Sequence, residues 1–219
     1  MSKKLTKNRK KYLLNVFDKK YSLEESISII KKISFAKFNE SIDISIRLKK
    51  NKKENNSIIR GIIDLPNGTG KKNYILAIVT KDKELKSKEF GATYVGLHYI
   101  DKINSGWINI VVSMPSVMNK VNIISKILGQ KGLMPNNKEE TISLNPEISI
   151  KNIISGRIFF KSDKYGIVNS SIGRKSFSNN SILENIIVFI KEFIKKNFFI
   201  KNVYLSTTMS NSIILDHKT

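Results

Sequence analysis

Few side chains in this chain are placed to make or break bonds. Gly68-Thr69-Gly70-Lys71 has the glycines and the lysine of a phosphate-cradling loop. Such a loop also needs a glycine five residues before Gly70, where Leu65 stands, and Ser or Thr after the lysine, where Lys72 stands. Gly129-Gln130-Lys131-Gly132 has the spacing of the backbone-clamping loop of a KH domain, which joins two helices. Pro135 follows too soon for the second of them to begin. Glu139 and Glu140 are adjacent, so on a strand their carboxylates diverge. His98, in Leu97-His98-Tyr99, has no acid or nucleophile placed beside it and reads as structural; His217 lies in a terminal tail. These are the only two histidines, and cysteine is absent. That excludes a disulfide, a thiolate nucleophile and a histidine-rich metal site. A non-enzyme with no cofactor and no metal is expected.

Residues suited to binding are better represented. Lys37 and Phe38 precede a stretch in which Ile42, Ile44, Ile46 and Leu48 alternate with Ser41, Asp43, Ser45 and Arg47. This is the period of a strand with one wet face. A cation attracts phosphate, an exposed ring stacks on bases or sugars, and short polar side chains read 2′-hydroxyls. Phe38 read by itself fits a core position better than an exposed one. Lys161, Asp163, Lys164 and Gly166 form a basic turn, and Ser206-Thr207-Thr208-Met209 ends a strand with hydroxyls and a flexible thioether.

The charge supports a polyanionic partner. The 219 residues carry a formal net charge of +21. Lysine outnumbers arginine 34 to 5, a bias that A/T-rich coding also produces, so the distribution says more than the total. Residues 1–66 and 156–219 carry 27 basic and 11 acidic residues, and residues 67–155 carry 12 and 7. The ends hold most of the excess, as expected if one unit lies on phosphate. No apolar run approaches the roughly 18 residues that span a bilayer. The opening Met1–Lys7 lacks the apolar core of a secretory signal. An intracellular protein without a membrane partner is expected.

These residues need elements to hold them. Lys3 to Asp18 reads as a basic helix, and Ser22-Leu23-Glu24-Glu25 as a capping box opening a second helix with Ile27, Ile30 and Ile33 inward. A strand is expected from Ser57 to Leu65. Tyr74–Val79 is a continuous apolar run, the mark of a strand covered on both faces. A charged helix to Phe90, a short strand near Thr93–Val95, a strand over Ile108–Val112 and a helix from Pro115 to Gly129 follow. Strand–helix alternation of this kind implies parallel strands. Pro146 starts a short helix ending at Gly156. Arg157–Lys161 and Gly166–Ile172 read as strands. A helix from Ser178 carries Ile182, Ile186, Ile190 and Phe193 on one face, and Val203, Leu205, Ile213 and Leu215 mark two last strands. Similar ends around a different middle predict a discontinuous α+β domain, residues 1–66 plus 156–219, interrupted by an α/β domain, residues 67–155. The crossings fall at Leu65-Pro66-Asn67-Gly68 and at Ser155-Gly156.

Five segments in this order resemble the family of the first-numbered large-subunit ribosomal protein, ribosomal protein L-one. They are Ala36–Asp43, the loop Leu65–Lys71, the loop Leu128–Lys138, Ser162–Ile167 and Leu205–Met209. The second loop keeps Leu128, Gly129, Gly132, Leu133, Met134, Pro135 and Lys138, with Gln130 and Asn137 where the family commonly has proline and Lys131 where it has arginine. The resemblance implies a split α/β plait for the ends and a three-layer, Rossmann-like insert, joined by a hinge. It implies binding of large-subunit rRNA at the mobile stalk, help in releasing deacylated tRNA from the exit site, and in many bacteria repression of the protein's own mRNA. It assigns to RNA the positions Lys37, Phe38, Glu40, Ser41, Asp43 and Arg47, the turn Lys161, Asp163, Lys164 and Gly166, and Ser206, Thr207, Thr208, Met209 and Ser210. The family usually has glycine where Ser210 stands, so a crowded approach or a disfavoured positive φ is expected there. The expected state outside the ribosome is a monomer, and the expected location is the large subunit in the bacterial cytoplasm; an organelle encoding its own ribosomal proteins also suits. The rival readings are a nucleotide-dependent enzyme on the middle domain and a non-specific RNA chaperone.

Overall fold

A computed structural model describes residues 19–49 and 58–216. The helix expected over Lys3–Asp18, the start of the strand expected from Ser57, and His217 lie outside the described residues. In chain order the regular elements are β1 (Lys20–Tyr21), α1 (Leu23–Ile33), β2 (Ser41–Leu48), β3 (Arg60–Asp64), β4 (Ile75–Ile78), α2 (Lys81–Glu89), β5 (Tyr94–Val95), α3 (Ile100–Asn104), β6 (Ile110–Ser113), α4 (Met118–Ile123), α5 (Ser125–Lys131), α6 (Pro146–Ser155), β7 (Arg157–Lys161), β8 (Ile167–Arg174), α7 (Asn179–Lys195), β9 (Ile200–Thr207) and β10 (Ile213–Leu215). They form a mixed α+β protein of two compact units. One holds the residues up to Ile59, Leu65–Gly70 and Phe160 onward; the other holds Arg60–Asp64 and Lys71–Phe159.

The first unit is built on a five-stranded sheet in the order β1-β10-β9-β2-β8. β2 runs antiparallel to both neighbours, which places it at the centre of the face described below. Alternation in β2 sends Ile42, Ile44, Ile46 and Leu48 into the core and leaves Ser41, Asp43, Ser45 and Arg47 outside. The inner side is covered by α1 and α7. Ser22 opens α1 with the expected reciprocal cap: its hydroxyl accepts from Glu25 N–H and its own N–H donates to the Glu25 carboxylate. Ile182, Ile186, Phe189, Ile190 and Phe193 form the buried stripe of α7, three to four residues apart as a helix requires.

The second unit contains a parallel three-stranded sheet, order β5-β4-β6. Ile75, Leu76, Ala77 and Ile78 of β4 are all buried, as a strand covered on both faces must be. The helix expected from Pro115 to Gly129 is instead a 3-10 turn at Pro115–Val117 followed by α4 and α5. Gly129 lies inside α5, and Gly132, at φ 69°, ends it. Leu133 N–H reaches back to Leu128 C=O at 2.9 Å, a left-handed C-cap that glycine adopts without strain.

The division into units also departs from boundaries at residues 66/67 and 155/156. Arg157 grips Asp64 with two bonds of 2.7 and 3.0 Å and also binds Glu140, while Arg60 pairs with Glu139 at 3.6 Å. These contacts group Arg60–Asp64 and Arg157–Phe159 with the middle of the chain.

Candidate nucleic-acid interface

The wet face of the first unit is assembled by strand register. Asp43 of β2 stands opposite Ser206 of β9 and Ser171 of β8, and Ser45 stands opposite Tyr204 and Asn169. The exposed rows are therefore short polar side chains, with a shallow groove lined by Asp43, Ser45, Asn169, Ser171 and Ser206. Burial pushes the Asp43 carboxyl above its ordinary range, while the Ser171 hydroxyl and the Arg174 charge pull it back.

At one end of this face two loops meet. Lys37 and Phe38 sit on the first and Thr208 and Met209 on the second, all exposed. Phe38 is 54% exposed and Met209 50%, so the core alternative for Phe38 does not hold. The loops are fastened together. Ser41 N–H donates to the Thr208 hydroxyl oxygen at 3.1 Å, and Asn39 exchanges hydrogen bonds with Ser176. Arg174 donates to Asn39 C=O at 3.3 Å and to the Ser41 hydroxyl at 3.4 Å.

Glu40 lies beneath this pair of loops and is 0% exposed. One carboxylate oxygen accepts from the Ser34 hydroxyl at 2.9 Å and Ala36 N–H at 3.0 Å; the other accepts from Met209 N–H at 3.1 Å. The buried Thr207 hydroxyl faces the same carboxylate at a geometry too poor for a good bond, yet near enough to favour its charged form. Burial raises the Glu40 pKa, but the surrounding donors outweigh it and hold the group below the ordinary carboxylate range. Glu40 and Thr207 are thus corrected from RNA contacts to internal supports, because neither has surface to offer.

Arg47, Lys161, Asp163, Lys164 and Gly166 gather at the opposite end of β2. Arg47 pairs with Ile167, the first residue of β8, immediately after that turn. Ser41 and Arg47 are six residues apart, about 20 Å along a strand. The expected residues therefore form two clusters rather than one. Asp163 closes its turn by accepting from Tyr165 N–H at 2.9 Å and Ile167 N–H at 2.7 Å. Gly166, at φ 78°, is buried and supplies only backbone. Tyr165 is exposed beside Lys164, whose ammonium lies 5.1 Å from the ring centre.

Ser210 does not have the left-handed backbone expected of a glycine site. Glycines apart, only Glu140 and Asn197 have positive φ among the described residues. Its hydroxyl turns inward instead, accepting from Thr207 N–H at 3.0 Å and donating to Asn211 C=O at 3.1 Å.

The expected crossing residues are held as well. Leu65 is buried, Asn67 N–H donates to Asn185 and its amide to Glu184, and Gly68 C=O accepts from Asn185 at 2.9 Å. Pro66 is exposed within this turn, which Gly68 N–H closes on Leu65 C=O at 3.2 Å. Ser155 and Gly156 terminate α6, with Gly156 at φ 126°. Sequence reasoning missed Asn169, Ser171, Asn202 and Tyr204 on the wet face; their alternation with buried Val168, Ile172, Val203 and Leu205 was the available signal.

Comparison with known proteins places the chain in a family. The model of the Ribosomal protein L1p/L10e family matches residues 30–211. The chain is similar to Large ribosomal subunit protein uL1 of Phocaeicola vulgatus, 43% identical over 226 residues, covering 99% of this chain and 97% of that protein. The protein of the same description from Bacteroides thetaiotaomicron gives the same identity and coverage. Its counterpart in Flavobacterium psychrophilum is 43% identical over 225 residues, covering 98% of each.

Proposed function

The chain belongs to the Ribosomal protein L1p/L10e family, and on that premise we propose that it docks the large-subunit rRNA of the mobile stalk on the wet face of β2, β8 and β9. As a member of this family it is a structural constituent of the large ribosomal subunit, binds rRNA, and is not an enzyme. The platform is the unit that holds the residues up to Ile59, Leu65–Gly70 and Phe160 onward, read as a split α/β plait; the unit of Arg60–Asp64 and Lys71–Phe159 is read as a three-layer, Rossmann-like insert. Lys37, Arg47, Lys161 and Lys164 supply phosphate attraction from the two ends of the sheet. Phe38, Tyr165 and Met209 supply apolar contact, and Ser41, Asp43, Ser206 and Thr208 read ribose hydroxyls between them.

One observation carries this reading. Two apolar side chains, Phe38 and Met209, stand about half exposed on loops that a buried carboxylate holds in place. Half-exposed apolar side chains on loops fastened in this way contribute little to folding, which supports a partner for them. Exit-site tRNA and the protein's own mRNA are the further partners of this reading, and the free protein is a monomer. A hinge at the two crossings, Leu65–Gly68 and Ser155–Gly156, belongs to the same reading; Asn67 and Gly68 of the first crossing are tied to Asn185 of α7.

The test is competition by the intact chain between a transcript of the rRNA stalk and an unrelated structured RNA of equal length. A preference of at least about a hundredfold at physiological salt is expected. Equal affinity for both would leave only a general RNA chaperone.

A further inference from the structure

We infer that Ser210 is a positioning residue for RNA recognition: its hydroxyl closes the turn that presents Thr208 and Met209. This inference rests on the platform reading above. β9 ends at Thr207, whose N–H would otherwise need a partner beyond the ladder. The Ser210 oxygen supplies it at 3.0 Å, and the same hydroxyl donates onward to Asn211 C=O at 3.1 Å. One acceptor and one donor bond use the hydroxyl as a bridge across the turn, while Thr208 and Met209 are exposed.

Two further ties complete the fastening. Met209 N–H is held by Glu40 at 3.1 Å, and the Thr208 hydroxyl by Ser41 N–H at 3.1 Å. The turn is therefore fixed from below by the carboxylate, from the side by β2, and along its own length by Ser210. Since Thr208 and Met209 point outward, fixing them does not build the core. Its effect is to remove, before RNA arrives, the freedom that binding would otherwise have to take away. Glycine at this position keeps the path of the chain but deletes both bonds and widens the accessible backbone.

The experiment uses the full chain with Ser210→Gly, Ser210→Ala and Ser210→Thr, titrated with the stalk rRNA transcript and with the unrelated RNA over a range of salt. Ser210→Gly should bind the stalk about tenfold more weakly, Ser210→Ala somewhat less so, and Ser210→Thr within about twofold of wild type, because threonine keeps the hydroxyl. Affinity for the unrelated RNA and the slope of log affinity against log salt should not change, since no phosphate contact is removed. Thermal melting should stay within about 3 °C of wild type. Stalk binding by Ser210→Gly equal to or tighter than wild type overturns the inference, and so does a loss in Ser210→Thr as large as in Ser210→Gly. A flatter salt slope in Ser210→Gly overturns it too, by making Ser210 a direct contact. Failure of wild type itself to prefer the stalk RNA would instead overturn the platform reading, which separates the two.

Discussion

Replacing Glu40 by glutamine tests whether the two RNA-facing loops are organised from beneath. The substitution keeps the size and removes the charge. Both carboxylate oxygens now accept: one from the Ser34 hydroxyl and Ala36 N–H, the other from Met209 N–H. A glutamine amide must turn its NH2 toward at least one of these donors, so one charge-assisted bond becomes a clash of donors. Hydrogen bonds to a charged group contribute about 1.5–3 kcal/mol, and leaving a buried donor unpaired costs about 1–3 kcal/mol. A total loss of about 3 kcal/mol corresponds to a fall in melting temperature of about 6–12 °C for a chain of this length.

The pH dependence follows from the lowered pKa of Glu40. The unfolded carboxyl titrates near about 4.3. A group whose folded pKa lies below that value adds stability at higher pH and loses it as pH falls through the folded pKa. The gap in melting temperature between wild type and Glu40→Gln should therefore be constant above about pH 5.5 and close progressively below about pH 4.3. Thermal melts followed by circular dichroism from pH 3 to pH 8 measure it. A gap that persists unchanged into acid, or one that opens on acidification, would refute the account of Glu40 as an ionised support.

Three other outcomes are expected. Phe38→Ala removes a half-exposed ring, so it should cost about 1 kcal/mol of stability rather than the roughly 3–5 of a core position, while weakening stalk RNA about tenfold or more; a collapsed melt, or unchanged affinity, would contradict this. Thr208→Val deletes the oxygen that receives Ser41 N–H, and since that N–H is solvent-accessible, stability should change by less than about 1 kcal/mol as RNA affinity falls about three- to tenfold in titration. In wild type, log affinity should decline linearly with log salt, each phosphate contact adding roughly 0.7–0.9 to the slope; a flat response at intact specificity would rule out a cationic interface.

Periodicity disclosed what local physics governs. The alternation of β2, the stripe of α7, the apolar run of β4 and the box at Ser22 all appear where the residue pattern puts them. The role of Glu40 could not be read in this way. A glutamate beside Lys37, Phe38 and Asn39 has the local signature of a wet loop, and the donor for its second carboxylate oxygen, Met209 N–H, lies 169 residues later. Arg157 is a similar case, since its partner Asp64 lies 93 residues away and shifts which residues group with the middle unit. Gly129 and Gly132 show a smaller failure of the same kind. Either glycine could end α5, and the carbonyl geometry behind Leu133 selects the second.

The three acids within the candidate interface pose an electrostatic question, because a surface meant for phosphate should not hold carboxylates. Their geometry answers it. Glu40 is spent on the Ala36 and Met209 amides and the Ser34 hydroxyl, and Asp163 on the amides of Tyr165 and Ile167. Asp43 faces the Ser171 hydroxyl and the Arg174 guanidinium, and burial disfavours its charge. Each carboxylate thus has its field directed into the protein's own donors, which shortens its reach toward an approaching backbone. The cations of the same clusters stand on the outside: Lys37, Arg47, Lys161 and Lys164 are all exposed. Acids shape the loops and cations meet the RNA, so a charge-conserving exchange such as Asp163→Glu should disturb binding through turn geometry, whereas Lys161→Gln should act through the salt slope alone.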